Sequence, residues 1–127
     1  MQDYEAQVKI YKALAHPTRL AILDLLRDGE HCVCHLEAYL GLRQAYISQQ
    51  LMILREAGLV QDRRDGWNIF YRVVRPEVYV LLDQAQVLEG TKHVSLSSSD
   101  NHEVVDCSCP RCQKTLKVEP LMIKTSY

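Results

Sequence analysis

Several features are missing from this 127-residue chain, and each absence argues against a class of protein. No apolar run approaches the roughly 18 residues that a transmembrane helix requires. The N-terminus is charged (Asp3, Glu5 and Lys9) and has no apolar segment typical of a signal peptide. The formal net charge is only −1, so overall charge does not attract nucleic acid. We therefore expect a cytoplasmic protein in which any DNA binding depends on a local basic patch.

The residue patterns typical of enzymes are also missing. The chain contains no glycine-rich phosphate loop and no paired carboxylates in a catalytic arrangement. Cys32 between His31 and His35 is the one group that resembles a nucleophile with a neighbouring base. The sequence predicts no substrate cleft around it, and we therefore expect a protein that is not an enzyme.

The chain does contain five cysteines, and they fall into two clusters. Every cysteine has a second one within three residues, and the odd total argues against complete pairing in disulfides. In a reducing compartment such clusters bind soft metal ions more often than they form disulfides. The two clusters are Cys32 with Cys34, and Cys107 with Cys109 and Cys112.

Apolar residues at helical spacing predict five helices in the first 90 residues. Pro17 begins the second helix, where its missing N–H has little effect, and glycines end several of the others. Two of the helices are joined through Gly41 and form a candidate helix-turn-helix. The predicted helices cover residues 4–15, 17–28, 33–39, 44–57 and 76–89.

Two strand-like segments follow the helix-turn-helix, at residues 59–64 and 67–73. They are linked by Asp65-Gly66, a dipeptide that favours a two-residue hairpin turn. A hairpin at this place is typical of a wing. The polar, serine-rich segment 95–101 predicts a linker. We expect a winged DNA-binding and dimerisation domain over residues 1–90 and a flexible, cysteine-containing tail over 91–127.

The order of these elements and three separate motifs resemble the ArsR/SmtB family of winged-helix repressors, which are dimeric sensors of metals and metalloids. The motifs are Ala13–Leu23, Cys32-Val33-Cys34, and Gln44–Leu51 followed by Leu54–Val60. The resemblance covers about residues 5–90. It implies a mainly α fold with a small β-hairpin, five helices plus a wing, and a homodimer that binds a palindromic operator. It also implies that binding of an ion releases the operator.

The chain departs from the family pattern at several positions. His35 stands where the family usually has Asp, and Arg43 where it often has a Ser N-cap. Gln49-Gln50 replaces a frequent His-His pair. A second family site on the last helix needs an Asp-x-His pair, and Asp83-Gln84-Ala85 lacks the histidine. The departures favour sensing through thiolates over a histidine site on the last helix.

The start of the second helix of a helix-turn-helix faces the floor of the major groove. Amide, hydroxyl and phenol side chains there can bond base edges, whereas arginines suit phosphates. The alternative is that these polar residues form an ordinary solvated surface. The predicted base contacts are Gln44, Tyr46, Ser48 and Gln49, and the predicted phosphate contacts are Arg19, Arg43, Arg63 and Arg64.

Cys32 and Cys34 are two residues apart, so within a helix their side chains would point to different sides. In extended backbone just before the first turn of the helix, both side chains can face one ion. Trivalent arsenic takes three sulfurs, so the tail cluster of either protomer would supply the third. With a fourth ligand, cadmium, lead or zinc would suit the site. His31, His35 and His102 are further candidate ligands. The sequence therefore predicts a repressor that responds to a thiophilic ion, with As(III) as the first choice.

Three alternatives remain open for the cysteines. Cys32 and Cys34 can be small buried core residues. The tail can form a separate zinc knot, or a disulfide between the two clusters can act as a redox switch. The ligands of the zinc knot would be Cys107, Cys109, Cys112 and His102.

Overall fold

The computed structural model describes residues 2–90, with side chains from residue 4 onward, so the predicted tail of residues 91–127 lies outside the described residues. The described residues form five α-helices and a three-stranded antiparallel sheet with the strand order β1-β3-β2. Within this part of the chain, no helix is long and apolar enough to cross a membrane. The elements are α1 (Gln2–Leu14), α2 (Pro17–Leu25), β1 (His31–Cys32), α3 (Val33–Leu40), α4 (Gln44–Glu56), β2 (Val60–Asp65), β3 (Asn68–Val73) and α5 (Glu77–Glu89).

Helix α2 begins at a side-chain cap that no sequence pattern predicts. His16 is extended, and its Nδ1 accepts a hydrogen bond from the backbone N–H of Thr18 at 3.1 Å. The ring nitrogen thus satisfies one of the amide groups that a helix start leaves unpaired. Helix α2 is shorter than predicted because its last turn tightens into a 3-10 turn, Leu26–Asp28, before Gly29.

The helix-turn-helix consists of α3 and α4. Gly41 ends α3 in the left-handed conformation (φ +66°), which glycine adopts without a steric penalty, and its N–H donates to the carbonyl of Glu37. Helix α4 then places one face in the core, where Ile47, Leu51 and Leu54 are completely buried. The opposite face of α4 is left on the surface.

The wing forms where it was predicted, but its turn was predicted one residue too early. Strands β2 and β3 pair from Val60 with Val73 to Asp65 with Asn68, so the two loop residues are Gly66 and Trp67. Gly66 has φ +60°, whereas no described residue other than glycine has positive φ. A glycine first and an ordinary residue second are typical of a type II′ turn, whereas the predicted Asp-Gly loop is typical of type I′.

A third strand joins the sheet, and the sequence did not predict it. In β1, His31 pairs with Tyr71 and Cys32 pairs with Phe70 of β3. Two residues are too few to show the alternation of apolar and polar side chains that identifies a strand. The pairing connects the segment just before α3 directly to the wing.

Helix α5 contacts the rest of the domain mainly at its beginning. Val78 is buried, and the Tyr79 hydroxyl donates to the carbonyl of Leu23 at 2.6 Å. Burial of this hydroxyl raises the pKa of Tyr79 far above its ordinary value. Arg27 lies over the Tyr79 ring, 4.5 Å from its centre, and donates to Asp83 at 2.6 Å. These contacts orient α5 along α2.

Candidate functional site

The predicted base-contacting residues lie together at the start of α4. Gln44 and Gln49 are exposed, whereas Tyr46 and Ser48 are half-buried. Arg43 occupies the N-cap position and makes no side-chain cap to the helix. Because α4 buries its apolar face, these polar residues form one accessible surface at its N-terminal half.

Tyr46 is held by the residue that caps α2. Its hydroxyl lies 3.3 Å from Nε2 of His16. Since Nδ1 of His16 accepts the Thr18 N–H, the hydrogen of a neutral ring resides on Nε2, and the ring donates to the Tyr46 oxygen. His16 therefore links the beginning of α2 to the surface of α4. No local sequence pattern indicates this contact, because the two residues are 30 positions apart.

Arg19 does not lie with the other predicted phosphate contacts. Its side chain is buried, and the guanidinium donates to the carbonyls of Ala13 (2.6 Å) and Lys12 (3.1 Å) and to the side-chain oxygen of Gln50 (2.7 Å). All three acceptors are protein groups, two of them in the last turn of α1. In this structure Arg19 joins α1, α2 and α4, and we leave it out of the nucleic-acid surface.

The two wing arginines have different surroundings. Arg63 forms a two-pronged ion pair with Glu30, in which Nε donates to Oε2 at 3.2 Å, and its guanidinium lies over the Phe70 ring at 4.8 Å. The hydrogen bond to Glu30 raises the pKa of Arg63. Arg64 is exposed on the same strand. The side chain of Trp67 at the wing tip is completely exposed, and it is not among the site residues predicted from the sequence.

The structure brings Cys32 and Cys34 together at the start of α3. Cys32 is buried in extended backbone and caps the helix, its sulfur accepting the N–H of His35 at 3.2 Å. Cys34 is half-buried, and the two sulfurs are joined as a disulfide across a Cα–Cα distance of 5.3 Å. The redox-switch alternative predicts a disulfide between the two cysteine clusters. In the structure Cys32 is instead bonded to Cys34, within the first cluster.

Two histidines lie in the interior beside the sulfurs. The rings of His31 and His35 are stacked 4.4 Å apart and almost parallel, and both are buried. The ring of Tyr39 lies 6.4 Å beyond His35. Among residues 4–90, however, no three His, Cys, Asp or Glu side chains are grouped so as to hold a metal ion. The other candidate ligands, Cys107, Cys109, Cys112 and His102, lie outside the described residues.

On α5, Asp83 occupies the position that the family uses in its second site. Here Asp83 pairs with Arg27, which also pairs with Asp24 at 2.9 Å. These ion pairs raise the pKa of Arg27. The side chain at this position thus attaches α5 to the end of α2.

Comparison with known proteins agrees with this arrangement. The sequence profile of bacterial regulatory proteins of the arsR family matches residues 16–62, from the cap of α2 into β2. Over 91 residues the chain is 41% identical to the HTH-type transcriptional regulator NmtR of Mycobacterium tuberculosis, covering 72% of this chain and 74% of that protein. The chain belongs to the arsR family. The resemblance expected from the sequence motifs is therefore confirmed.

Two further relatives of this ArsR-family chain have more specific names. This chain is 46% identical over 74 residues to the biofilm growth-associated repressor of Agrobacterium fabrum, and the match covers 58% of this chain and 63% of that protein. The arsenic resistance transcriptional regulator ArsR1 of Pseudomonas putida is 47% identical over 70 residues, which are 54% of each protein. The chain thus spans less than two thirds of the length of either relative.

Solved structures confirm the winged helix-turn-helix fold. NolR from Sinorhizobium fredii superposes with a TM-score of 0.65 at 34% identity, covering 72% of this chain and 91% of that one. A homodimeric winged helix-turn-helix DNA-binding domain from Mycobacterium bovis gives 0.60 at 31% identity, with coverages of 72% and 89%. The family consists of DNA-binding transcriptional regulators, so the expectation that this chain is not an enzyme is confirmed.

Proposed function

We propose that this ArsR-family chain is a homodimeric repressor that binds a palindromic operator and releases it when a thiophilic ion, first of all As(III), binds its cysteine thiolates. The observation that carries the proposal is the meeting of the Cys32 and Cys34 sulfurs at the start of α3, the first helix of the helix-turn-helix. An ion bound there acts on the segment that enters the DNA-reading unit.

The operator surface consists of the exposed start of α4 and the wing. Gln44 and Gln49 are accessible for bidentate bonds to adenine, and Ser48 and Tyr46 for further base contacts. Arg43 and Arg64 supply charge for the phosphates. Arg63 can contribute when its guanidinium exchanges Glu30 for a phosphate.

Helices α1 and α5 supply the proposed dimer interface. Both expose large apolar side chains in the isolated chain, and a second copy would cover them. A homodimeric relative of the same fold supports this arrangement. Two copies would present two α4 helices to successive major grooves, which matches a palindromic site. The exposed apolar side chains are Tyr4, Val8 and Tyr11 on α1, and Val80, Leu81, Val87 and Leu88 on α5.

The choice of ion follows from the number of sulfurs. When reduced, Cys32 and Cys34 supply two thiolates, and one tail cysteine would complete the three sulfurs that trivalent arsenic takes. Cadmium, lead or zinc would need a fourth ligand, for which His35 stands next to the pair. The similarity to a regulator named for arsenic resistance supports arsenic as the first choice.

Two structural connections can carry the signal from the cysteines to the DNA surface. Cys32 pairs with Phe70 of the wing strand β3, and Phe70 in turn lies beneath Arg63. Glu30, two residues before Cys32, pairs with the same arginine. By linkage, the ion must weaken operator binding by the same factor by which the operator weakens ion binding, typically about 1–3 kcal/mol.

Operator release tests the proposal. The reduced full-length protein is bound to a duplex selected from a random pool, and arsenite, cadmium or zinc is added while fluorescence anisotropy reports release. We expect Cys32→Ser and Cys34→Ser to retain DNA binding and lose the response. Variants of Cys107, Cys109 and Cys112 are the matched comparison, since they lose the response only if the tail completes the site. Normal release of the Cys32→Ser/Cys34→Ser double variant by arsenite and by cadmium would contradict the site.

The disulfide supports a second candidate, a repressor that responds to oxidation. Two thiols, Cys32 and Cys34, would lose two electrons and two protons to an oxidant such as oxidised glutathione, which becomes two glutathione thiols. The disulfide has no thiolate left for an ion. We therefore expect oxidised protein to lose two of its five titratable thiols and its arsenite binding, and dithiothreitol to restore both. Operator binding that is equal before and after oxidation would exclude this candidate.

A further inference from the structure

The direction of two hydrogen bonds gives His16 a role beyond capping α2. Its Nδ1 accepts the N–H of Thr18 at 3.1 Å, and its Nε2 lies 3.3 Å from the Tyr46 hydroxyl. A backbone amide can only donate, so it requires a lone pair on Nδ1 and leaves the hydrogen of the neutral ring on Nε2. The imidazole therefore donates to the Tyr46 oxygen and cannot accept from it.

The backbone around His16 fixes the position of the ring. Its extended conformation (φ −157°, ψ 130°) is the one that a following proline favours. The His16 N–H donates to the carbonyl of Leu14 at 2.8 Å, and the His16 carbonyl accepts the N–H of Leu20 at 3.1 Å. The ring thus meets Tyr46 from an anchored position, with the two ring centres 6.4 Å apart and the planes tilted by 57°.

A phenol that accepts from His16 directs its own hydrogen elsewhere. Tyr46 lies in the first turn of α4 and is half-buried. We propose that His16 is a positioning residue that makes Tyr46 a fixed hydrogen-bond donor toward an acceptor on operator DNA, an inference that rests on the proposed operator binding. The acceptor is N7 of a purine, O6 of guanine, O4 of thymine or a phosphate oxygen, whereas the amino groups of adenine and cytosine are rejected.

The position of the ring hydrogen can be tested without DNA. NMR is recorded on the reduced full-length protein with isotope-labelled histidine nitrogens, at a pH of about 8.5, where histidines are ordinarily neutral. We expect a hydrogen on Nε2 of His16 and none on Nδ1. The variant His16→Asn identifies the signals of this ring among those of the five histidines. A hydrogen on Nδ1 would reverse the bond to Tyr46 and overturn the proposal.

Two substitutions separate the helix cap from the contact with Tyr46. Asparagine places an oxygen near the position of Nδ1 and caps helices well, but it is too short to reach Tyr46. Glutamine places an amide N–H near the position of Nε2 and is not among the preferred caps. The first residue therefore preserves the cap alone, and the second preserves the donor alone.

The two variants should differ in opposite ways from the wild type. We expect His16→Asn to keep the urea midpoint and to bind the selected duplex about fivefold more weakly, or about 1 kcal/mol. His16→Gln should have a lower urea midpoint and the duplex affinity of the wild type. If duplex affinity instead follows the urea midpoint in both variants, His16 is only a cap.

Tyr46→Phe removes the phenol oxygen and keeps the ring. It should weaken duplex binding as much as His16→Asn does, and combining the two should add nothing, because both changes remove the same interaction. Additive losses would show that His16 affects DNA binding without Tyr46.

Modified duplexes identify the acceptor. Base analogues that each lack one acceptor (N7, O6 or O4) are placed one at a time in the selected duplex, and uncharged methylphosphonates replace single phosphates in a second set. We expect one such change to weaken binding by the wild type and His16→Gln about fivefold, and to leave Tyr46→Phe and His16→Asn unaffected. Whether that change is a base analogue or a methylphosphonate distinguishes a base from a phosphate. If no change distinguishes the wild type from Tyr46→Phe, only this inference fails. If the wild type selects no duplex, the proposed operator binding fails as well.

Discussion

At the scale of single residues, the main surprise is the position of Arg19. A basic residue near a helix start is expected to be exposed, but its guanidinium lies in the interior between three acceptors. Two of these are carbonyls in the last turn of α1, where a helix leaves carbonyls unpaired. A cation also interacts favourably with the negative end of the helix dipole. Arg19 thus ends α1 and fixes it to α2 and α4.

Replacing Arg19 should therefore lower stability. We expect Arg19→Met to reduce the free energy of unfolding by about 2–3 kcal/mol, because buried carbonyls and the amide of Gln50 lose charged donors. Lysine should not rescue it, since a single ammonium cannot reach three acceptors. Urea unfolding followed by circular dichroism measures the effect.

The matched control is Arg64→Met, at an exposed position. It should leave the urea midpoint unchanged and reduce the salt dependence of duplex binding, whereas Arg19→Met should do the reverse. If Arg19→Met were as stable as the wild type but bound DNA with a smaller salt slope, Arg19 would be a phosphate contact after all.

At the scale of elements, the sequence predicted what is local. The apolar spacing of α4 and the proline at the start of α2 identify both helices, and Gly41 correctly marks the turn between α3 and α4. The wing was predicted from strand-like runs, but its loop was misplaced because Gly66 suits the first loop position as well as the second. Strand β1 was missed because pairing with β3, about 40 residues away, is what defines it.

In the candidate site, too, local features could be predicted from the sequence, whereas contacts between distant residues could not. The identities of Cys32 and Cys34 and their proximity follow from spacing and an extended helix cap. The contacts between distant segments, which connect the cysteine segment to the wing and the start of α2 to α4, do not. Glu30 with Arg63, and His16 with Tyr46, are separated by 33 and 30 residues, and no local pattern indicates such pairs.

The pair of Glu30 and Arg63 leads to a prediction about signal transfer between β1 and the wing. We expect Glu30→Gln to reduce the factor by which arsenite weakens duplex binding, because the wing loses one of its two connections to the cysteines. Within a typical coupling of about 1–3 kcal/mol, a reduction of about 1 kcal/mol would be measurable. Titration of duplex binding with and without saturating arsenite gives the coupling.

Asp62→Asn is the control for this measurement. Asp62 also forms an ion pair across the surface, with Arg55 at 3.3 Å, but that pair joins α4 to β2 and leaves out β1. In Asp62→Asn the coupling between arsenite binding and duplex binding should equal that of the wild type. The double variant of Glu30 and Arg63 should lose no more coupling than the Arg63 variant alone. Equal coupling in Glu30→Gln and the wild type would show that the ion acts by another route.

At the scale of the whole molecule, the described domain leaves much apolar surface uncovered on the two helices at its ends. On α5 the relative exposures of Val87 and Leu88 are 71% and 89%, whereas Ile22 and Leu23 of α2 and Leu51 and Leu54 of α4 are completely buried. An exposed apolar stripe on α5 and another on α1 are what a dimer interface requires. The single domain offers few base contacts, so the proposed operator binding would depend on this association.

Placing charges in the interface should therefore separate the protomers without unfolding them. We expect Val87→Glu/Leu88→Glu to sediment as a species of about 14.6 kDa at micromolar concentration, because a dimer would have to bury four carboxylates without partners. Circular dichroism should be unchanged, since both side chains are exposed in the single chain. Binding to a palindromic duplex should weaken strongly, while binding to an isolated half-site should stay as weak as that of the wild type. Trp67→Ala, which removes an exposed apolar side chain from the wing-tip turn, outside α1 and α5, should remain dimeric. A charged variant that still sediments as a dimer would place the interface on another surface, and the two α4 helices would then need a different spacing on DNA.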